Sequence, residues 1–244
     1  MVVSRFLIVA LVLFASNKLV AQESTSIWAD GSLSFGKMGS TAALGIEKIH
    51  KLGTKKQFNF GYGARFTSYY SKNKALKFRT APAKLTSGKG SIVALFSEDI
   101  IGQIDTLNFN NLQVNSLNLF LDLGYNLSSK ISIGFNIDAV GFSFGKKQNA
   151  IFEANISDSE GLANNLKNVG AKPTSLNLLL VSDSDIGSLN SEIYSRIKIN
   201  SKIALRAGAC FQFIEYTAEK NLAFNNNRFR MKQLMPFGAL SFKL

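Results

Sequence analysis

The stretch LNLFLDLGYNLSSKISIGFNIDAVGFSFG, residues 117–145, constrains this chain more than any other. Leu117, Leu119, Leu121, Leu123, Tyr125 and Leu127 are separated by Asn118, Phe120, Asp122, Gly124 and Asn126. After SSK the pattern restarts, with Ile131, Ile133, Phe135, Ile137 and Ala139 set against Ser132, Gly134, Asn136 and Asp138. Period two is the geometry of a β-strand, whose successive side chains point to opposite faces. Each strand therefore has one greasy face and one face of carboxylates, amides and glycines, and so short a connection makes the two antiparallel.

The same alternation predicts eight strands, at 27–37, 41–51, 57–70, 113–127, 131–145, 189–200, 203–217 and 229–244. In the third, Phe58, Phe60, Tyr62, Ala64 and Phe66 oppose Asn59, Gly61, Gly63, Arg65 and Thr67. LSSKI, INSKI and KLGTKK supply short turns at one end. The other end has the short turn KMGS, a medium connection at 218–228 and two long ones, 71–112 and 146–188. Within these, the 157–173 region reads as a short helix capped by Ser157 or Asp158, with Leu162, Leu166 and Val169 on one stripe and Gly170 and Pro173 ending it. SIVALFSEDIIG is apolar enough to fold back onto the sheet. SLNLLLVS reads as a strand within its loop, since a ninth crossing would put the two termini on opposite sides. Pro236 cannot donate to a ladder, so a bulge or an edge irregularity is expected near Met235 and Pro236.

Alternation alone does not say whether the apolar face points into a soluble core or out into lipid. Length separates the two. A row of eleven residues, 117–127, tilted about 45° rises roughly 26 Å, the height of the apolar belt of a membrane barrel. The opposite face supplies the second test. On the inward parity lie the acids Asp30, Glu47, Asp122, Asp138 and Glu192 and the bases Arg65, Arg196, Lys198 and Arg206, a set suited to pairing inside a closed tube. Gly61, Gly63, Gly124, Gly134 and Gly208 leave room for long side chains to cross it.

Composition adds an address. Arg5, the apolar run 6–15 and Ala21 form the pattern of a secretory signal over 1–21, leaving one domain, 22–244. The whole chain has 28 Lys and Arg against 16 Asp and Glu, a formal +12. Export directs that excess toward lipid headgroups and away from nucleic acid. Cys210 is the only cysteine, so no disulfide framework exists.

With its leader, strand count, loop asymmetry and terminal strand FGALSFKL, the chain resembles the small eight-stranded outer-membrane β-barrel proteins of Gram-negative bacteria, and its Ala-Gln junction resembles processing sites of the Bacteroidetes. The resemblance implies an all-β fold, an eight-stranded antiparallel up-and-down transmembrane β-barrel with two long extracellular loops. It also implies that Leu240, Phe242 and Leu244 form the strand recognised by the barrel-assembly machinery, with outer-membrane lipid and lipopolysaccharide as surroundings.

An eight-stranded barrel is just wide enough to be filled by its own side chains. The expectation is a plugged, non-enzymatic barrel with no cofactor and no metal, acting structurally or through its loops. A barrel accessory to a secretion or assembly apparatus, a narrow channel and a lipid-modifying enzyme are the alternatives. His50, the only histidine, falls at the short-turn end, away from the outer leaflet where lipopolysaccharide presents its acyl chains. Asp122 and Asp138 sit mid-strand, placed for lumenal pairing and not for acid–base work at a mouth. SDSDIGSLNSE carries Asp183, Asp185 and Glu192 but lacks the third ligand and the sixth-position glycine of a helix-loop-helix calcium site. The first long loop is the candidate contact surface. Lys72, Lys74, Lys77, Arg79, Lys84 and Lys89 flank Phe78 without an acid from 71 to 90, which suits lipid phosphates or an acidic partner.

Overall fold

A computed structural model describes residues 25–71, 75–89, 98–155, 165–180 and 184–244. The expected leader lies outside them. The described residues form thirteen strands: β1 (Thr25–Phe35), β2 (Ser40–Leu52), β3 (Phe58–Ser71), β4 (Leu76–Thr80), β5 (Thr106–Phe109), β6 (Leu112–Asn126), β7 (Ile131–Phe144), β8 (Gln148–Glu153), β9 (Asn165–Pro173), β10 (Leu176–Leu178), β11 (Asn190–Lys198), β12 (Ile203–Ala218) and β13 (Arg228–Lys243).

Eight of them close on themselves. β1 pairs with β2, β2 with β3, β3 with β6, β6 with β7, β7 with β11, β11 with β12, β12 with β13, and β13 returns to β1, every pair antiparallel. Closure removes every edge, the condition for a sheet to cross hydrocarbon, where an unpaired N–H or C=O would find no water. The outward parity carries the apolar rows. Leu33, Leu44, Phe66, Leu119, Leu123, Phe135, Ile193, Leu205 and Leu240 are all exposed. Aromatic rings collect toward both ends of this belt, with Phe58 on Tyr125 at the short-turn end and Phe66 near Phe144 at the other. This is the architecture of a membrane-spanning β-barrel.

The register near Met235 and Pro236 is continuous from Ile203↔Phe242 to Thr217↔Arg228. Pro236 lies one residue beyond the last pair of the β1–β13 ladder, Ser34↔Phe237, and no bulge forms there. The irregularity lies instead between β6 and β7, where Leu119 faces Val140 and Phe120 faces Asp138. Ala139 is the extra residue. Beyond it the outward row of β7 moves from Ile133 and Phe135 to Val140, Phe142 and Phe144.

The long connections depart most from expectation, because they are folded into strands. β4 pairs with the upper part of β13, β5 with β4, β8 with β5, β9 with β8, and β9 with the upper part of β12. With the β12–β13 pair this makes a second closed circuit of six strands at the long-loop end. Of the region expected to be a helix, residues 165–173 are instead strand β9, and the rest, 157–164, lies outside the described residues. Pairing of β9 to both β8 and β12 overrides the helical spacing. SLNLLLVS contributes β10, hydrogen-bonded to β7 through Leu176↔Phe142 and Leu178↔Val140, within the loop as expected. Most of SIVALFSEDIIG lies outside the described residues, and its last residues enter a short turn, Ile101–Gln103.

The second circuit encloses an apolar core. Leu76, Phe78, Leu107, Phe109, Phe152, Ile214, Tyr216 and Phe229 have no more than 1% of their surface exposed. Phe78, Phe109 and Tyr216 are mutually packed with ring centroids 4.8–5.7 Å apart. Tyr69 of β3 and Leu112 and Val114 of β6 join the cluster from below, so this cap sits directly on the mouth of the barrel.

Candidate functional site: a charge-linked lumen under an apolar cap

Inward side chains of seven barrel strands meet in one buried network. Arg65 (β3) reaches Asp138 (β7) at 2.5 Å and Glu192 (β11) at 2.7 Å. Glu192 also takes Arg206 (β12) at 2.5 Å, and Arg206 extends to Asp30 (β1) at 2.8 Å. Arg196 (β11) pairs with Glu47 (β2). Asp122 (β6) has a neutral partner, accepting the Tyr194 hydroxyl at 2.6 Å. Each charged side chain in these ion pairs is 8% exposed or less.

Amides complete the links. Asn136 donates to Glu192 at 2.8 Å and accepts from Arg65 at 3.1 Å, and Asn118 donates to Asp138 at 2.8 Å. Asn190 donates its backbone N–H to Asp138 and its amide to Glu192. The guanidinium faces lie on rings, Arg65 over Phe120 at 5.1 Å, Arg196 over Trp28 at 5.5 Å and Arg206 over Tyr194 at 4.2 Å. Two glycines make this possible. A Cβ at Gly134 would collide with the Tyr194 ring and one at Gly63 with Phe120. A buried charge is tolerated only when paired and hydrogen-bonded, and each charge in the ion pairs above is held in that way.

Of the nine residues assigned to the lumen from parity, eight are buried inside the barrel. Lys198 departs from that group: it stands at the short-turn mouth, half-buried, with Nζ 3.4 Å from the Ser129 carbonyl. It is the last residue of β11, where the tube opens to water. The acids Asp122 and Asp138 do not form a pair, since one holds Tyr194 and the other Arg65. Asp185 accepts the backbone N–H of Leu180, and Glu192 belongs to the lumen, so SDSDIGSLNSE does not gather its carboxylates; Asp183 lies outside the described residues. His50 stacks on Tyr62 on the outer face near the short-turn end, centroids 5.8 Å apart.

Sequence reasoning assigned no lumenal part to several members. Asn118 and Asn136 stood on the polar face of their strands, and Tyr194 and Asn190 share the same inward parity, which was their available signal. Glu215, Arg228 and Arg230 form a further buried cluster on the β12–β13 hairpin, with Glu215 2.7 Å from each arginine. Arg230 also donates to the Asp185 carbonyl. Nothing local in FQFIEYTAE marks Glu215 as buried.

The first-loop cations divide. Lys72 and Lys74 lie outside the described residues. Lys84 and Lys89 are exposed after β4. Lys77 and Arg79 occupy the outer face of β4, but Phe78 between them is fully buried in the cap and is not the exposed aromatic neighbour expected from the sequence. Strand alternation sends it to the opposite face. Arg79 is directly opposite Arg230 in the β4–β13 register. Lys77, Arg79, Arg230 and Lys232 together line a cleft of about 240 Å³, in which Asp99, 3.3 Å from Arg79, is the acid. Just below on β13, Leu234 is 68% exposed and belongs to the apolar belt. Leu240, Phe242 and Leu244 of the terminal segment are likewise exposed on the outer face.

No protein-family model and no curated protein matches the sequence. Among solved structures the chain is similar to neisserial surface protein A, at 9% identity and a TM-score of 0.37 over 90% of this chain and 96% of that one. It is similar to the Yersinia pestis outer-membrane protein Ail, at 9% identity and a TM-score of 0.34 over 91% and 99% of the two chains. It is also similar to a major outer membrane protein of Thermus thermophilus, at 10% identity and a TM-score of 0.39 over 91% and 100%.

Proposed function

We propose that this chain is a plugged, non-enzymatic barrel of the outer membrane that holds a rigid β-cap outside the bilayer and contacts anionic lipid, lipopolysaccharide in particular, through the outer face of that cap. The observation that carries the reading is the abrupt change along β13, from Leu234 in the apolar belt to Lys232 and Arg230 two and four residues back along the chain. Arg79 stands directly across from Arg230, and like charges in that position cost stability unless anions relieve them. Glu215, directly opposite on β12, pairs with the buried Arg230, and the exposed Asp99 answers Arg79, so Lys77, Arg79 and Lys232 are the outward cations of the cleft and Asp99 is the acid among its lining residues. Lipid phosphates stand at that height above a hydrocarbon belt, and a guanidinium grips them through paired N–H donors. The ion-linked lumen supports a barrel that does not conduct, and Leu240, Phe242 and Leu244 on its outer face suit delivery by the barrel-assembly machinery.

The test is binding of bisphosphorylated against dephosphorylated lipid A to the barrel in a neutral detergent, read by native mass spectrometry. The wild type is expected to retain the phosphorylated form selectively, and Lys77→Ala with Arg79→Ala to lose that preference. Equal retention of both lipids by the wild type would defeat the reading. Planar-bilayer recording is expected to show no steady conductance.

A further inference from the structure

The end of the lumen opposite the cap is also built, and with a different chemistry. A cavity of about 270 Å³ opens at the short-turn mouth. Its polar walls are Ser26, Asn59, Asn126 and Ser132, and its cations are Lys51 of β2, Lys198 of β11, Lys243 of β13 and, at the bottom, Arg196. Among the described residues no Asp or Glu lines it. It is blind, because Trp28, Ile49 and Ala204 pack together at its inner end and Arg196 is fixed there by Glu47 and by its place over Trp28.

Three features make this more than a wet rim. Lys51, Arg196 and Lys243 all act electrostatically on Lys198 as like charges, so the walls repel one another across a narrow space. Arg196 is 4% exposed, yet its Nε has no partner among the described residues. A buried guanidinium N–H left without an acceptor is costly, and of the three lumenal arginines whose Nε stands so, Arg65, Arg196 and Arg206, Arg196 is the one that lines this cavity. Asn59 and Asn126 meanwhile bond reciprocally at 3.0 Å, which fixes the opposite wall.

We propose that this vestibule binds a small phosphate-bearing anion from the compartment at the short-turn end of the barrel. The three lysines neutralise the phosphate and the polar wall takes an attached hydroxylated group. At about 30 Å³ per water the space equals roughly nine waters, enough for a phosphate ester of sugar or glycerol size and too little for a folded partner. A phospholipid headgroup offers the same phosphate, but its chains lie outside the barrel wall and the cavity lies inside it, so the free solute is the better fit. Low-dielectric walls around one sign of charge focus the field and draw such anions in.

The experiment is phosphorus NMR of inorganic phosphate and of glycerol 3-phosphate with the full chain in nanodiscs of phosphatidylcholine. Both resonances are expected to broaden saturably at low salt. Lys51→Ala with Lys198→Ala and Lys243→Ala is expected to weaken binding at least tenfold, Lys198→Arg to retain it, and Lys77→Ala with Arg79→Ala, at the other end, to leave it unchanged. Arg196 is left intact because it holds the barrel wall. Repeating the titration in discs containing phosphatidylglycerol separates the sources: undiminished broadening assigns the site to the free ester, and competition by the disc lipid assigns the same phosphate site to a headgroup. Absence of saturable broadening in the wild type, or equal binding by the triple variant with its heat-modifiable gel migration intact, overturns the proposal.

Discussion

Along β6, Leu112 and Val114 point into the cap and are buried, whereas Leu117, Leu119 and Leu121, one phase away, point out of the barrel and are exposed. The inward residues that follow Val114 are Ser116, Asn118, Phe120 and Asp122, all buried and, apart from the ring under Arg65, all polar. β12 turns over in the same way, from inward Arg206 and Gln212 to inward Ile214 and Tyr216, whereas on β13 the inward residues stay mainly apolar, Phe237 and Met235 on the barrel side of Gln233 and Met231 and Phe229 on the cap side, and it is the outward row that changes, from Leu234 to Lys232. Strand parity never breaks at these points, yet the chemistry of the two faces is exchanged. Barrel and cap therefore share strands and differ in what wets them. Where the outside is hydrocarbon, the charges go in and pair; where the outside is water, the apolar side chains go in and the charges come out. The exchange occurs at Asn115, Phe213 and Lys232 on three strands, which marks one boundary of the belt.

The strongest test of this contrast acts on the barrel's polar interior. Glu192→Ala removes the carboxylate shared by Arg65 and Arg206 and is expected to cost about 3–5 kcal/mol, the usual result of stranding a buried partner. The lowered temperature of the heat-modifiable gel transition would report it. In the cap the corresponding blow is apolar. Phe152→Ala deletes a fully buried ring packed on Phe229 at 6.1 Å, with an expected loss of ~3 kcal/mol or more. Here limited proteolysis should cut the cap while the barrel keeps its migration, and simultaneous loss of both would show that the two are one cooperative unit.

Smaller effects sharpen the boundary. Leu121→Arg puts a cation on the lipid face between Tyr62 and Ile137 and is expected to cost about 2–4 kcal/mol in bilayers, the range for midplane positions. A penalty that vanishes in lipid vesicles would mean that this face does not meet hydrocarbon. Lys77→Leu on the outer face of the cap should leave the melting temperature unchanged, because that face is wet, and should reduce only the retention of phosphorylated lipid A.

Much of the barrel was legible because its periodicity persists long enough to exceed chance. Eleven-residue rows such as 117–127 leave one interpretation, and the turns LSSKI and INSKI fix the pairing of their flanking strands. The lumenal charges followed from the same parity, with Lys198 the exception because it stands at the end of its row. β4, β5 and β8 were not read, since LKFRT and TLNF offer only two or three alternations each. β9 carried a helical spacing that strand pairing overrode. The bulge at Ala139 was visible in principle, as the shift of the apolar phase from Phe135 to Phe142, but a phase change gains meaning only when the partner strand is known.

The sequence by itself determined that long two-faced strands would close into a tube with acids and bases on its inner side, because side-chain direction in a strand is fixed by parity alone. Only the tertiary structure decided which acid meets which base, that the long connections build a second ring, and that Phe78 faces a core while its neighbours Lys77 and Arg79 face outward. Those outcomes depend on the register between strands distant in sequence. A local pattern states which way a residue points, and the partner strand supplies what it points at.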